Sequence, residues 1–459
     1  MIESILKVVQ GVLKLRGDTD DTLIGNSGDK LKVDGSGVTQ PVSAASLPLP
    51  TGASTSANQA TEIASLASID SKTVLTPFGV PAVAAVHNVF ESQFSFDKQT
   101  LVWDETLVTG GTNTRNTNTG AVNMVATTTS GSSVVFQTRR RIRYNSSRSV
   151  VVKISANLGG LKANSRRRVG QFDTNNGVFF ELDGTTPEVV VRSNTSGSIV
   201  DTAVAQSDWN VDKLDGTGAS GLTVDFSKHQ LYVIEYGWQG IAQVRFGFYL
   251  NGRIYYCHYV NSANVLTVAY MKTANLPVRL ENTNTAATAS NTTLSTTCVA
   301  VQNYGEDDDA EGQTRAFVRA SLKTISALPT YVPVLSVRLN SANLGAIIEI
   351  IKMPIYGQTT DDVAWKIVLN PTLTGATYAN TVGYVDIDSA ATALSGGTDL
   401  DAGFVSGLRD TGLESGSIFR IINNLLGVSL AGTSDVLTLA AVSRNSPADV
   451  WAAVTWREF

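Results

Sequence analysis

The stretch QVRFGFYLNGRIYYCHYV, residues 243 to 260, fixes the class of fold. Asn251-Gly252 sits between two runs in which bulky apolar and polar residues alternate, and this dipeptide is the strongest short-range signal for a two-residue hairpin turn. Pairing outward from the turn sets Leu250 opposite Arg253 and Tyr249 opposite Ile254. Strict alternation then gathers Val244, Phe246, Phe248, Leu250, Tyr255, Cys257 and Tyr259 on a core face, with Cys257 a buried free thiol. The other face carries Gln243, Arg245, Gly247, Tyr249, Ile254, Tyr256, His258 and Val260. Its aromatic edges and hydrogen-bonding heads suit a sugar, or a covering loop or subunit.

The same texture runs through most of the chain. From about residue 95 onward, segments such as LVWDETLV, AVNMVATTT and SVVVKISANL read as strand, turn, strand, separated by Thr-, Asn- and Gly-rich clusters. Helical periodicity of useful length is missing between them, which argues against a parallel α/β sheet. The expected fold is mainly β: antiparallel jelly-roll or lectin-like β-sandwiches, preceded by a small N-terminal hairpin and helix. At 459 residues the chain exceeds what one core usually holds, and only 16% of residues are charged.

Four regions follow. Residues 1–40 form an N-terminal segment, whose first fifteen residues fit either a helix or a strand and whose Asn26-Ser27-Gly28-Asp29 marks a hairpin. Residues 41–75 are a Pro/Ser/Ala-rich linker and a short helix. In that helix Ala60, Ile63, Ala67 and Asp70 lie on one stripe, with Leu66 beside it, too weakly apolar to persist alone unless copies from several chains pack together or it lies on another protein. Residues 76–325 form a large sandwich, and 326–459, beginning near the prolines of SALPTYVPVL, a second one with one helical candidate at SIFRIINNLLG.

The formal charge of −5 disfavours broad nucleic-acid or anionic-membrane binding. The apolar N-terminus is interrupted by Glu3, Lys7, Gln10 and Lys14 and fits neither a signal peptide nor a membrane span. Two cysteines, Cys257 and Cys298, are too few for a disulfide scaffold or a Cys-rich zinc site.

The stretch SDWNVDKLDGTG, 207–218, lacks the strand–GxxxxGK[ST]–helix context of a phosphate loop. It and FDTNNG, 172–177, hold Asp and Asn at short spacing without completing a calcium loop, so turns that satisfy their own backbone are expected. Trp209 either plugs the end of a core or offers a ring to a sugar. EDDDAE, 306–311, reads as a solvated loop tip. Arg139, Arg141 and Arg143 on one strand face, and Arg166 to Arg168, could meet phosphate or an acidic glycan, and suit carboxylates of a neighbouring protein better. His87, His229 and His258 lie in no nucleophile motif, and convergence of Glu181, Asp183 and Glu235 on a glycosidic bond is not legible. RGD at 16–18 and LPLPTG at 47–52 are short chance matches. No catalytic activity, cofactor or metal is expected.

Several segments together, DTLIGNSGDKLKV, LPLPTGASTSANQATEIASL, VGQFDTNNGVFFELDG, QSDWNVDKLDGTG, residues 232–261 and LNPTLTGATY, resemble a family of fibre-like virion structural proteins of tailed bacteriophages. The resemblance implies a head or tail component, assembled in the host cytoplasm and exposed on the particle surface. It implies an N-terminal region that binds other virion proteins, here Ile5, Val9, Leu13, Ala60, Ile63 and Ala67, and a homotrimer. The outward domains would serve as structure or in adsorption to a bacterial surface glycan. Arg245, Tyr249, Tyr256, His258, Trp209 and Trp238 are the candidate glycan contacts, and no nucleic acid or membrane insertion is expected.

Overall fold

The computed structural model describes residues 7–9, 12–14, 56–70, 86–146, 148–304, 312–358, 360–405, 410–411 and 426–459. The hairpin expected at Asn26–Asp29, Ile5, the linker up to residue 55, the acidic run 306–311 and residues 417–425 of the helical candidate lie outside them. Two compact units result, Met1–Val83 and Ala84–Phe459.

In the first unit β1 (Lys7–Val9) pairs antiparallel with β2 (Val12–Lys14), so the ambiguous N-terminal run is a hairpin and carries Val9 and Leu13. Helix α1 spans Ser56–Asp70 and includes Ala60, Ile63 and Ala67, as expected. Ile63 and Leu66 are 66% and 65% exposed. No described helix is long and apolar enough to cross a membrane.

The second unit begins with fifteen strands: β3 (Val86–Gln93), β4 (Trp103–Val108), β5 (Thr112–Asn116), β6 (Ala121–Ala126), β7 (Ser133–Thr138), β8 (Val150–Asn157), β9 (Ser165–Phe172), β10 (Gly177–Asp183), β11 (Thr186–Ser193), β12 (Val200–Ala205), β13 (Gln230–Tyr236), β14 (Val244–Leu250), β15 (Arg253–Val260), β16 (Val278–Asn284) and β17 (Thr292–Tyr304). They form two antiparallel sheets, ordered β12-β11-β10-β9-β16-β7-β4 and β15-β14-β13-β8-β17-β6-β5, with β3 also pairing β17. Sequence alternation becomes burial alternation. On β8, Val152, Ile154 and Ala156 are buried while Lys153, Ser155 and Asn157 are only partly so.

The space between these sheets is filled by aromatic rings. Phe180 meets Phe246 edge-on at 5.4 Å and 86°, and Trp103 stacks on Phe136 at 4.5 Å. Such pairs add about 0.5–1.5 kcal/mol each beyond the area they bury. The Trp103 indole N–H donates to Ser92 Oγ at 2.8 Å, and Tyr236 O–H lies 2.9 Å from Gln171 Oε1, so these polar ends stay bonded inside the core.

The second sandwich is built of two six-stranded antiparallel sheets around its own core. Its longest strand, Ala448–Glu458, alternates strictly and directs Val450, Ala452, Val454 and Trp456 inward. Gln313–Val318 already pairs with this strand. Lys323–Ile325 pairs with it too, so strands ahead of the expected boundary at 326 already belong to the sheets of the second sandwich. The proline-marked texture at SALPTYVPVL is a connection inside the second sandwich, between Lys323–Ile325 and Val332–Leu339. Leu426 and Gly427, the described end of the helical candidate, are in no helix.

Among the buried polar residues one charge stands out. Arg167, on β9, is fully buried. Its NH1 donates to Leu158 O, whereas Nε and NH2 find no acceptor in the protein, and burial brings the guanidinium pKa down to about 10. A charge so placed costs more than its single bond returns. Arg167→Met is expected to stabilise the protein by about 1–3 kcal/mol, read as a higher Tm in thermal unfolding; a lower Tm would show that the guanidinium is satisfied in solution.

Candidate functional site

The hairpin turn forms as the dipeptide dictates: Asn251 and Gly252 take φ of 49° and 84°, both in the left-handed region that a type I′ turn demands. Leu250 pairs with Arg253, Tyr249 with Ile254, Phe248 with Tyr255 and Gly247 with Tyr256. There the ladder shifts. Phe246 pairs with His258, which leaves Cys257 as the extra residue of a β-bulge, and Arg245 then faces Tyr259.

This extra residue resets which side chains share a face. Cys257 is buried, as expected, with its thiol pKa pushed up by burial and its S–H against Phe246 O at 3.3 Å. His258 is buried too, and its Nδ1 accepts the Asn210 N–H at 3.2 Å. Tyr259 leaves the expected core face and joins Tyr256. The proposed contact set is corrected accordingly: Tyr259 replaces His258.

The resulting platform is compact. The Arg245 guanidinium lies 5.9 Å from the Tyr256 ring centre and 5.4 Å from that of Tyr259, and the rings stand 5.6 Å apart at 63°. From the neighbouring β13, Glu235 accepts the Tyr256 hydroxyl at 2.5 Å and approaches Arg245 at 3.7 Å. Burial first, and then the Glu235 carboxylate, raise the Tyr256 pKa, so the phenol stays a donor at neutral pH. Tyr304 is exposed on the same side, and its pKa is raised by burial and by Glu235. Further along this face Lys153 donates to Gln302 at 2.7 Å, and Gln302 to Asn88 at 2.6 Å. Tyr249 is 45% exposed nearer the turn.

Neither tryptophan belongs to this platform. Trp209 is buried, with its ring 6.3 Å from Phe248 and its N–H donated to Val204 O at 3.2 Å, so it plugs the core. Trp238 is partly buried, edge-on to Tyr144 at 5.8 Å, and its N–H is held by Met271 O. The loop around Trp209 has a different task. The Asn210 side chain accepts the Tyr259 N–H at 2.9 Å and donates to Tyr259 O at 2.8 Å, pairing with β15 as a further strand would. Val211 and Asp212 N–H both reach Cys257 O at 3.1 Å. An open sheet edge is thereby covered.

The Asp and Asn side chains of these loops are engaged locally. Asp212 accepts the N–H groups of Leu214 and Ser220, Asp215 that of Thr217, and Asp173 those of Asn175 and Asn176. These carboxylates satisfy their own turns.

Glu181 and Asp183 lie on the outer side of the opposite sheet from Glu235, so the three do not converge. Arg168 bridges Glu181 and Glu281, Arg166 holds Asp183 at 2.8 Å, and Arg192 holds Asp201 at 2.7 Å. Arg168 and Arg192 each lie 5.3 Å from the Phe179 ring centre. Glu181, Asp183 and Glu188 bring carboxylate oxygens within 4.8 Å of one another, but Arg166 and Arg168 already answer two of these charges. The other basic run is not a strand beyond Thr138. Arg139 binds Asp435 at 2.5 Å, Arg141 binds Asp173 at 2.7 Å, and Arg143 lies over the Phe459 ring at 4.2 Å. These three partners lie within the chain.

No family profile and no curated protein matches the chain. Among solved structures it is similar to a legume lectin-like domain from Entamoeba histolytica, at 12% identity over 49% of this chain and 100% of that one, with a TM-score of 0.31. It is also similar to a putative β-glucanase from Mycobacterium abscessus (12%, 47% and 100%, TM-score 0.33) and to the Emp47p carbohydrate recognition domain (10%, 48% and 97%, TM-score 0.31).

Asn210→Ala should uncover the β15 edge and cost about 1–2 kcal/mol for two lost backbone bonds. Denaturant unfolding reads the loss, and static light scattering should show increased self-association; an unchanged midpoint would mean that the loop holds the edge without its amide.

Proposed function

We propose that this chain is a fibre-like structural protein of a phage particle, held by its N-terminal region, whose first sandwich binds carbohydrate on the Tyr256–Tyr259 platform. The observation that carries the binding half is the platform itself. Two tyrosine rings offer apolar faces to the C–H side of a pyranose, and Arg245, Glu235 and the phenol groups offer donors and acceptors to its hydroxyls. Exposure of Tyr249 and Tyr304 extends it in two directions. The separation of Glu235 from Glu181 and Asp183 favours binding over bond cleavage, which requires two carboxylates about the scissile bond.

The structural half rests on sequence resemblance and on α1. A fifteen-residue helix with Ile63 and Leu66 exposed gains its stability from packing, and a second and third copy of the same stripe supply it.

On a glycan array and then by calorimetry, Tyr256→Ala and Tyr259→Ala are each expected to weaken the best ligand at least about tenfold, or about 1.4 kcal/mol. Trp238→Phe should leave affinity unchanged. Retained binding in both tyrosine variants, with the fold intact by circular dichroism, would remove the platform from the account. For the assembly, analytical ultracentrifugation of the full chain should give a trimer that Ile63→Glu with Leu66→Glu shifts toward monomer; a wild-type monomer at micromolar concentration defeats it.

A further inference from the structure

A groove of about 500 Å³ runs between the two sandwiches. One wall is the first sandwich: the end of β7, residues 139–141, the Asp173–Asn176 turn and the approach to β16. The other wall is made by the loops 341–345 and 428–432 of the second sandwich. Backbone and side-chain bonds pin the walls together. Val428 N–H donates to Arg139 O at 2.7 Å, Leu430 N–H to Asp104 Oδ2 at 2.7 Å, and Arg139 pairs with Asp435. The cleft is thus held open by fixed contacts and lies within the 300–1,000 Å³ range usual for small-ligand sites.

Its lining is richer in basic than in acidic side chains, with each arginine already paired to a carboxylate and Lys272 beside them. The chain has 35 basic and 40 acidic residues, yet the lining holds Arg139, Arg141, Lys272 and Arg279 against one carboxylate, Asp173. Asp173 is already committed: it accepts two N–H groups of its own turn and pairs with Arg141. Asp435 and Glu281 hold Arg139 and Arg279 and do not line the cleft. Lys272 is exposed at the rim. Between the cations lie neutral hydroxyls, among them Thr273 and Ser341.

We propose that this groove binds a carboxylated saccharide, a uronate-type unit whose carboxylate meets the Arg141–Lys272 side and whose hydroxyls meet the neutral lining. Guanidinium groups fixed by in-chain carboxylates are pre-oriented, so a bound carboxylate orders little that is not already ordered. The site is separate from the tyrosine platform and stands or falls independently of it.

Calorimetry on the full chain tests this, with an oligogalacturonate, a neutral oligosaccharide of the same length and inorganic phosphate as probes. The acidic oligosaccharide should bind, weaken as ionic strength rises from about 0.05 to 0.5 M, and lose at least about tenfold in affinity in Lys272→Glu and in the groove-filling Ser341→Trp. Tyr256→Ala should leave it unchanged. The proposal is overturned if the wild type does not bind the acidic oligosaccharide. It is overturned equally if Lys272→Glu binds as well as the wild type, or if only Tyr256→Ala abolishes binding, which would put the acidic sugar on the platform. Phosphate binding that depends on Lys272, with no oligogalacturonate binding, would leave a bare anion site and refute the saccharide.

Discussion

The extra residue at Cys257 governs much of the first sandwich. A bulge shifts one strand by a single residue against its partner, and because side chains alternate with period two, everything beyond it changes face. Cys257 and His258 both become buried, and His258 Nδ1 becomes an acceptor for Asn210 N–H. The Asn210 side chain then pairs with Tyr259, the loop closes over the sheet edge, and the adjacent Trp209 is held with its ring against Phe248. On the outer side the same shift brings Tyr259 to Tyr256 and Arg245. Core plug, edge cover and aromatic platform follow from one local irregularity.

A second constraint is the use of scarce charge. With few charged residues, the chain places several arginines where they tie neighbouring elements side chain to side chain, on top of the backbone bonds that already join them. Arg168 joins β9 to β10 and β16 through Glu181 and Glu281, Arg192 joins β11 to β12 through Asp201, and Arg139 joins the sandwiches through Asp435. Several of these guanidiniums also lie over phenylalanine rings, which partly shields them from water and strengthens each pair. Arg167 is the exception: it faces inward with one acceptor and weakens what the others support.

What could be read from the sequence was whatever depends on neighbours along the chain. Asn251-Gly252 named its own turn, Asp215 and Asp173 named their Asx turns, and alternation on β8 and on Ala448–Glu458 named the sandwich. The bulge was invisible, because YYCHYV alternates no differently with or without a skipped partner, so His258 was placed on the face that Tyr259 occupies. The arginine runs showed their charge but not their partners, since Arg139 and Asp435 are 296 residues apart. Prolines near 326 marked a connection between two strands, while the pairing of Gln313–Val318 with the C-terminal strand left no mark in the local sequence.

Under the proposed function, the geometry of the platform bears on why a sugar-binding sandwich would be joined to an assembly region. The platform is an open sheet face, so a sugar resting on it keeps one side in water and each contact gains little. Affinity from one copy is then weak, and useful adhesion needs several copies engaging one surface at once. Linking sites multiplies avidity by about 10²–10⁴ without a new contact, provided the spacing allows simultaneous engagement. In the proposed role, an apolar stripe on α1 that gathers copies and a shallow outward face that binds sugar serve the same end, since weak sites remain reversible singly and hold firmly together.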